Sequence, residues 1–182
     1  MDFKQYFLYQ TDYQHWANNV MLGALDRLDD EARQSTLKIY SGTIHNSIDH
    51  LVFFHRKWLA RLKGEQRATT YSCATHHDWR KLKENLRYEL RQMQHWLERQ
   101  PEDFFCSSLN YQRSRSGEQQ GVWVRDALTH IYTYAATERG SISLAGSMLG
   151  APLVDMAYFT YRQEMKGHVE NMQKINPGSQ LR

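Results

Sequence analysis

Cysteine and proline are scarce in this chain. Two cysteines among 182 residues, Cys73 and Cys106, stand far apart and form no CxxC pair, so neither a disulfide framework nor a thiolate metal site follows from them. The three prolines fall where the chain is expected to turn, which leaves long stretches free to be helical. No apolar run approaches the ~18 residues that would span a bilayer, so no membrane role is expected. Met1-Asp2-Phe3-Lys4 leads straight into an amphipathic segment, not into a signal peptide, and a cytoplasmic location is the expectation. Excess charge is also small, at +3, with Arg56-Lys57, Arg61, Lys63 and Arg80-Lys81 interspersed with acids. That pattern is a solvated surface and gives no nucleic-acid footprint.

What the chain has is hydrophobic periodicity and aromatic side chains, including 11 Tyr and 5 Trp. Three- and four-residue spacing of Phe3, Phe7, Trp16, Val20, Leu22, Leu25 and Leu28 predicts a first helix over about 2–28. An irregular connector over 31–40 leads to a second helix, capped by Ser41 or Thr43 and running to Lys63 before Gly64. A third fits 76–99, with Trp79, Leu82, Leu86, Leu90, Met93 and Leu97 buried, and Pro101 beyond it. Residues 104–121 read differently. Extended pieces at Ser108–Gln112 and Gln119–Trp123, joined across Gly117, make a hairpin-like insert. A fourth helix over 122–149 stops at Gly150, and Asp155 caps a short fifth whose Tyr158, Phe159 and Tyr161 pack on the rest. The expected fold is all-α, an up-down four-helix bundle over residues 1–166, followed by a polar tail over 167–182.

The chemistry concentrates on helix four. His130, Tyr134 and Glu138 recur at four-residue steps, each displaced about 40° around the axis, so they form one drifting polar stripe. A single helix cannot complete a site, and the partner segment is Asp49-His50-Leu51 on helix two. His45 and His55 lie about 140° around the helix from His50 and cannot share its face. His76-His77 reads as an exposed pair. Arg139 is expected to pair with an acid such as Asp49, Gly140 to permit a close helix crossing, and Trp16, Trp58 and Trp123 to be core.

Several separate pieces resemble the DinB (DinB/YfiT-like) superfamily of bacterial four-helix bundles. They are Tyr13-Gln14-His15-Trp16-Ala17-Asn18, Asp49-His50-Leu51 with Trp58-Leu59-Ala60-Arg61-Leu62, Leu128-Thr129-His130-Ile131, Glu138-Arg139-Gly140, and Leu149-Gly150-Ala151-Pro152. The resemblance implies a divalent metal, zinc or nickel, on three histidines, one from helix two and two from helix four. By position these places are His50, Tyr134 and Glu138, and only His50 keeps the family's residue type. The motif also departs at Thr133 and Ser141, where the family carries Asn and Gln.

A hard-oxygen metal set of His50, Tyr134 and Glu138 is conceivable, but Tyr ligates zinc poorly unless deprotonated. Substituting His130 fails, since it stands about 12 Å along the helix from Glu138. The favoured expectation is a weakened or absent metal, with His50 hydrogen-bonded to Glu138 or Tyr134. Two functions remain open: a metal-dependent thiol transferase or hydrolase-like enzyme, and a non-catalytic module that binds a small molecule or dimerises. The resemblance implies a homodimer.

Overall fold

The structure is a computed structural model that describes residues 2–65, 78–113 and 116–175, with side chains through residue 167. Cys73, His76 and His77 lie outside the described residues.

Four long helices carry the architecture: α1 (Phe3–Leu25), α3 (Ile44–Leu62), α4 (Trp79–Glu98) and α5 (Val124–Met148). A short α2 (Asp30–Gln34) joins α1 to α3, and α6 (Tyr158–Ile175) follows α5. Both α1 and α3 pack against α4 and α5, so each long helix touches two others. Between α4 and α5 lie a 3-10 turn (Glu102–Cys106) and the antiparallel strands β1 (Ser108–Gln112) and β2 (Gln119–Trp123). Their register pairs Ser108 with Trp123 and Gln112 with Gln119, as the spacing predicts, with Gly117 supplying a positive φ of 71°. Strand β1 rests on α3.

Local chemistry explains the boundaries. The side chains of Asp2, Thr43 and Asp78 each accept a backbone N–H in the first turn of α1, α3 and α4. At the end of α5, Gly150 adopts φ +98°; Ala151 N donates to Gly146 O and Gly150 N to Ser147 O, which closes the helix. Asp155 accepts from Ala157 N and Thr160 Oγ1 and so initiates α6, which continues past residue 166 to Ile175.

The interior is two apolar clusters separated by a polar layer. One gathers Met21, Leu25, Ile48, Leu51, Leu82 and Ile142; the other gathers Phe7, Phe54, Trp58, Met93, Phe105 and Leu128. Each fully buried side chain of this size contributes about 1.5–3 kcal/mol. Along α1, Thr11, Gln14 and Asn18 lie between Phe7 of one cluster and Met21 of the other, and His55 of α3 and Arg139 of α5 are buried polar side chains as well.

Several expectations are corrected. The connector is not wholly irregular: Asp29 caps α2, and buried Arg33 donates to the carbonyls of Leu25 and Leu28 and lies over Trp79. The free carbonyls at the end of α1 need such donors. Trp123 is 48% exposed and Phe159 80% exposed, so neither is core. Trp16 is half-buried and donates Nε1 to Glu164. Gly140 is exposed and a Cβ there would meet nothing within 4 Å, so it permits no close crossing; Gly146 does, with Leu25 Cδ2 2.5 Å from where a Cβ would stand.

Candidate functional site

Helical spacing on α3 aligns His50, Phe54, Lys57, Trp58 and Arg61 along one side. Helix α5 faces it with His130 and Tyr134, and the hairpin closes one end with Tyr111, Arg113, Ser116 and Glu118. Together they enclose a cleft of about 510 Å³. Its walls are aromatic. Tyr134 stacks on Phe54 with ring centroids 4.2 Å apart, and Trp58 meets His130 at 5.2 Å and Tyr111 at 5.3 Å. The His50 ring lies 6.3 Å from Tyr134 and 5.9 Å from exposed Tyr40. The Arg61 guanidinium lies over Trp58 and Tyr111, 4.8 and 4.2 Å from their centroids.

The three positions singled out by the resemblance are thus brought to one place. His50, Tyr134 and Glu138 are each half-buried, with His50 and Tyr134 in the cleft wall and Glu138 one turn beyond Tyr134. His130 is exposed at the same cleft. Asp49 is buried next to His50, and its charge, with that of Glu138, favours the imidazolium. Burial outweighs them and, with Lys57, holds His50 below the ordinary histidine range. Burial lowers His130 too, helped by Arg61 and Lys57. The Tyr134 phenol is pushed well above its usual value by burial, then by the Glu138 charge and a hydrogen bond to that carboxylate.

These donors do not fit a three-ligand metal centre. Among the described residues no group of three or more His, Cys, Asp or Glu side chains is placed to hold an ion. A Tyr134 ligand would have to be phenolate, and its surroundings disfavour that form. His50 and Glu138 remain as two donors.

Arg139 belongs to a different setting. Only 1% exposed, it donates Nη1 to Gln14 Oε1 at 2.5 Å and Asn18 Oδ1 at 3.3 Å, and its guanidinium lies 5.6 Å from the Tyr13 ring centroid. The expected partnership with Asp49 is replaced by amide acceptors of α1. Residue 139 follows 138 by about 100° of helix rotation, which turns it from the cleft into the interior.

The sequence reading missed the cleft's aromatic wall and its cations. Trp58 is core as expected and Phe54 is buried beside it, but both also line the cleft, since Phe54 and Trp58 stand four and eight residues after His50 on its own stripe. Lys57 and Arg61, expected on a solvated surface, line it too. The buried acceptors Gln14 and Asn18 sit inside the first-helix motif Tyr13–Asn18, and the polarity of that apolar-facing pair was the available signal.

Comparison with curated proteins and with solved structures finds no match. The DinB family model matches residues 2–171, nearly the whole chain, and the protein belongs to that family.

Proposed function

We propose that this DinB-family chain is a four-helix bundle that binds a small organic molecule in the cleft between α3, α5 and the hairpin. The observation that carries this reading is the cleft itself: about 510 Å³, open, and walled by Phe54, Trp58, Tyr111 and Tyr134 with polar His50 among them. Small-molecule sites typically occupy about 300–1,000 Å³, with apolar walls and a few convergent polar groups. Had the polar trio been sealed beneath Trp and Phe side chains, it would be core instead.

In this reading the family's metal position has been taken over by protein contacts. The Tyr134–Glu138 hydrogen bond satisfies two groups that would otherwise need an ion, and Glu138 attracts His50 electrostatically. A metal-dependent thiol transferase or hydrolase-like activity would require a third donor that His50 and Glu138 lack. The reading extends to a cytoplasmic homodimer without nucleic-acid or membrane partners. Exposed Leu144 and Met148 on α5 offer apolar surface for the dimer, and no helix among the described residues is long and apolar enough to cross a membrane.

The test is elemental mass spectrometry of tag-free protein, wild type and His50→Ala, alongside a small-molecule screen read by thermal unfolding. Far less than one equivalent of zinc or nickel in both proteins is expected, with screen hits lost in a Trp58→Ala variant. Near-stoichiometric metal that disappears in His50→Ala would overturn the reading and revive the enzyme.

A further inference from the structure

The cleft is not electrically neutral. Three of its lining side chains, Lys57, Arg61 and Arg113, are cations, and one, Glu118, is a carboxylate. The neighbouring Glu138 is engaged by the Tyr134 hydroxyl.

Arg61 is ordered by its surroundings. Its guanidinium covers Tyr111 at 4.2 Å and Trp58 at 4.8 Å, and those two rings are themselves 5.3 Å apart. Stacking on aromatic faces fixes the planar fork of an arginine, which suits bidentate recognition of a carboxylate better than a mobile ammonium does. Arg61 Nη2 also reaches Gln112 O at 3.4 Å, tying the side chain to β1. Beyond it the walls are aromatic rings set edge to face: Phe54 meets His130 at 5.9 Å and Trp58 meets it at 5.2 Å, with planes inclined by 60° and 61°. Aromatic surface beside an ordered cation selects both aromatic character and charge.

We infer that the cleft takes a small aromatic acid, its carboxylate directed to Arg61 and Lys57 and its ring set among the aromatic side chains of Phe54, Trp58 and Tyr134. This inference rests on the binding role proposed above and adds the ligand's chemical class. A carboxylate held by charged donors against an aromatic wall is bonded more strongly than a neutral amide of the same shape. A cationic ligand would face three like charges against the carboxylates of Glu118 and the neighbouring Glu138.

The test uses three probes of one shape, measured by isothermal titration calorimetry on the full chain: naphthalene-2-carboxylate, naphthalene-2-carboxamide and naphthalene-2-methylammonium. The carboxylate is expected to bind about tenfold or more tighter than the amide, and the ammonium weakest. Arg61→Gln should remove that about tenfold preference for the carboxylate while leaving amide binding within about twofold. Should Arg61→Gln disturb the hairpin, as judged by its thermal unfolding, Lys57→Gln gives the same readout from outside the clamp. Equal binding of carboxylate and amide, or tighter binding of the ammonium, would overturn the charge assignment and leave the binding role standing. No binding of any probe at millimolar concentration would overturn both.

Discussion

The Tyr134 ring lies on Phe54, centroids 4.2 Å apart and planes 24° from parallel, which joins α5 to α3 at the level of His50. Tyr134, which the resemblance aligns with a ligand position, therefore acts as a wall between two helices. Offset aromatic pairs of this kind contribute about 0.5–1.5 kcal/mol beyond their buried area. The stack gives the position a packing role that does not need an ion.

If, as proposed, the protein holds no metal and the reason lies in the ligands alone, restoring them should restore the ion. The double substitution Tyr134→His, Glu138→His recreates three imidazoles in the family's arrangement with His50. It is expected to carry close to one equivalent of zinc or nickel by elemental mass spectrometry, where wild type carries far less. Its carboxylate affinity should fall as the Phe54 stack is lost. Failure of the double variant to take metal would mean that the spacing of α3 from α5 has also changed.

Arg139 is a buried cation whose described partners are uncharged. Burial lowers its pKa and Tyr13 opposes that, yet an arginine stays charged in any protein. Arg139→Met would strand Gln14 Oε1 and Asn18 Oδ1 without their donor, at about 1–3 kcal/mol for each group. Relief of the desolvated charge offsets part of this. A net loss of about 2–4 kcal/mol is expected, read as a fall in the urea midpoint. Arg139→Lys should recover little, because one ammonium does not reproduce the fork. A stabilised Arg139→Met would show that the polar layer contributes nothing to folding.

The two glycines of α5 make opposite predictions. Gly140 is exposed with open space around it, so Gly140→Ala should stabilise by about 0.5–1 kcal/mol through helix propensity alone. At Gly146 a Cβ would stand 2.5 Å from Leu25 Cδ2, and Leu25 is itself fully buried. Overpacking costs about 1–3 kcal/mol, so Gly146→Ala should be neutral to destabilising despite the same propensity gain. Thermal unfolding of the two single variants decides the order.

Helix caps and hydrophobic spacing were legible because they act over four residues. Thr43 starts α3 and Gly150 follows the end of α5 where the pattern says, and Ser108–Gln112 pairs with Gln119–Trp123 across Gly117 as expected. Choices that depend on which helix lies opposite were not legible. Nothing local distinguishes Gly140 from Gly146; only the position of Leu25 does. Likewise Arg139 and Asp49 looked like an ion pair until α1 brought Gln14 and Asn18 to the guanidinium. At the cleft, the sequence located His50, Tyr134 and Glu138 together but not the wall. An aromatic on a helix reads as core, which Trp58 is; that it also lines a cleft appears only when the hairpin's Tyr111 is placed beside it.

His55 supplies the sharpest pH prediction. Its side chain is fully buried on α3, with no hydrogen-bond partner for either ring nitrogen among the described residues. Burial first, then the facing charges of Arg139 on α5 and His15 on α1, hold its pKa down at about 3. In the unfolded chain the ring would titrate near 6.5. The folded state thus binds this proton more weakly, so the stability is fully present above pH ~6.5 and is lost as the pH falls toward about 3. At about 1.36 kcal/mol per pH unit, some 2 kcal/mol should be gone at pH ~5. His15 and His50 are lowered as well, which makes the absolute acid sensitivity a shared property. The informative quantity is therefore the difference between wild type and His55→Leu in urea unfolding at successive pH values. That difference should be constant above pH ~7 and shift in the variant's favour by about 2 kcal/mol at pH ~5. A constant difference across the whole range would mean that the folded protein accepts the His55 proton as readily as the unfolded chain does.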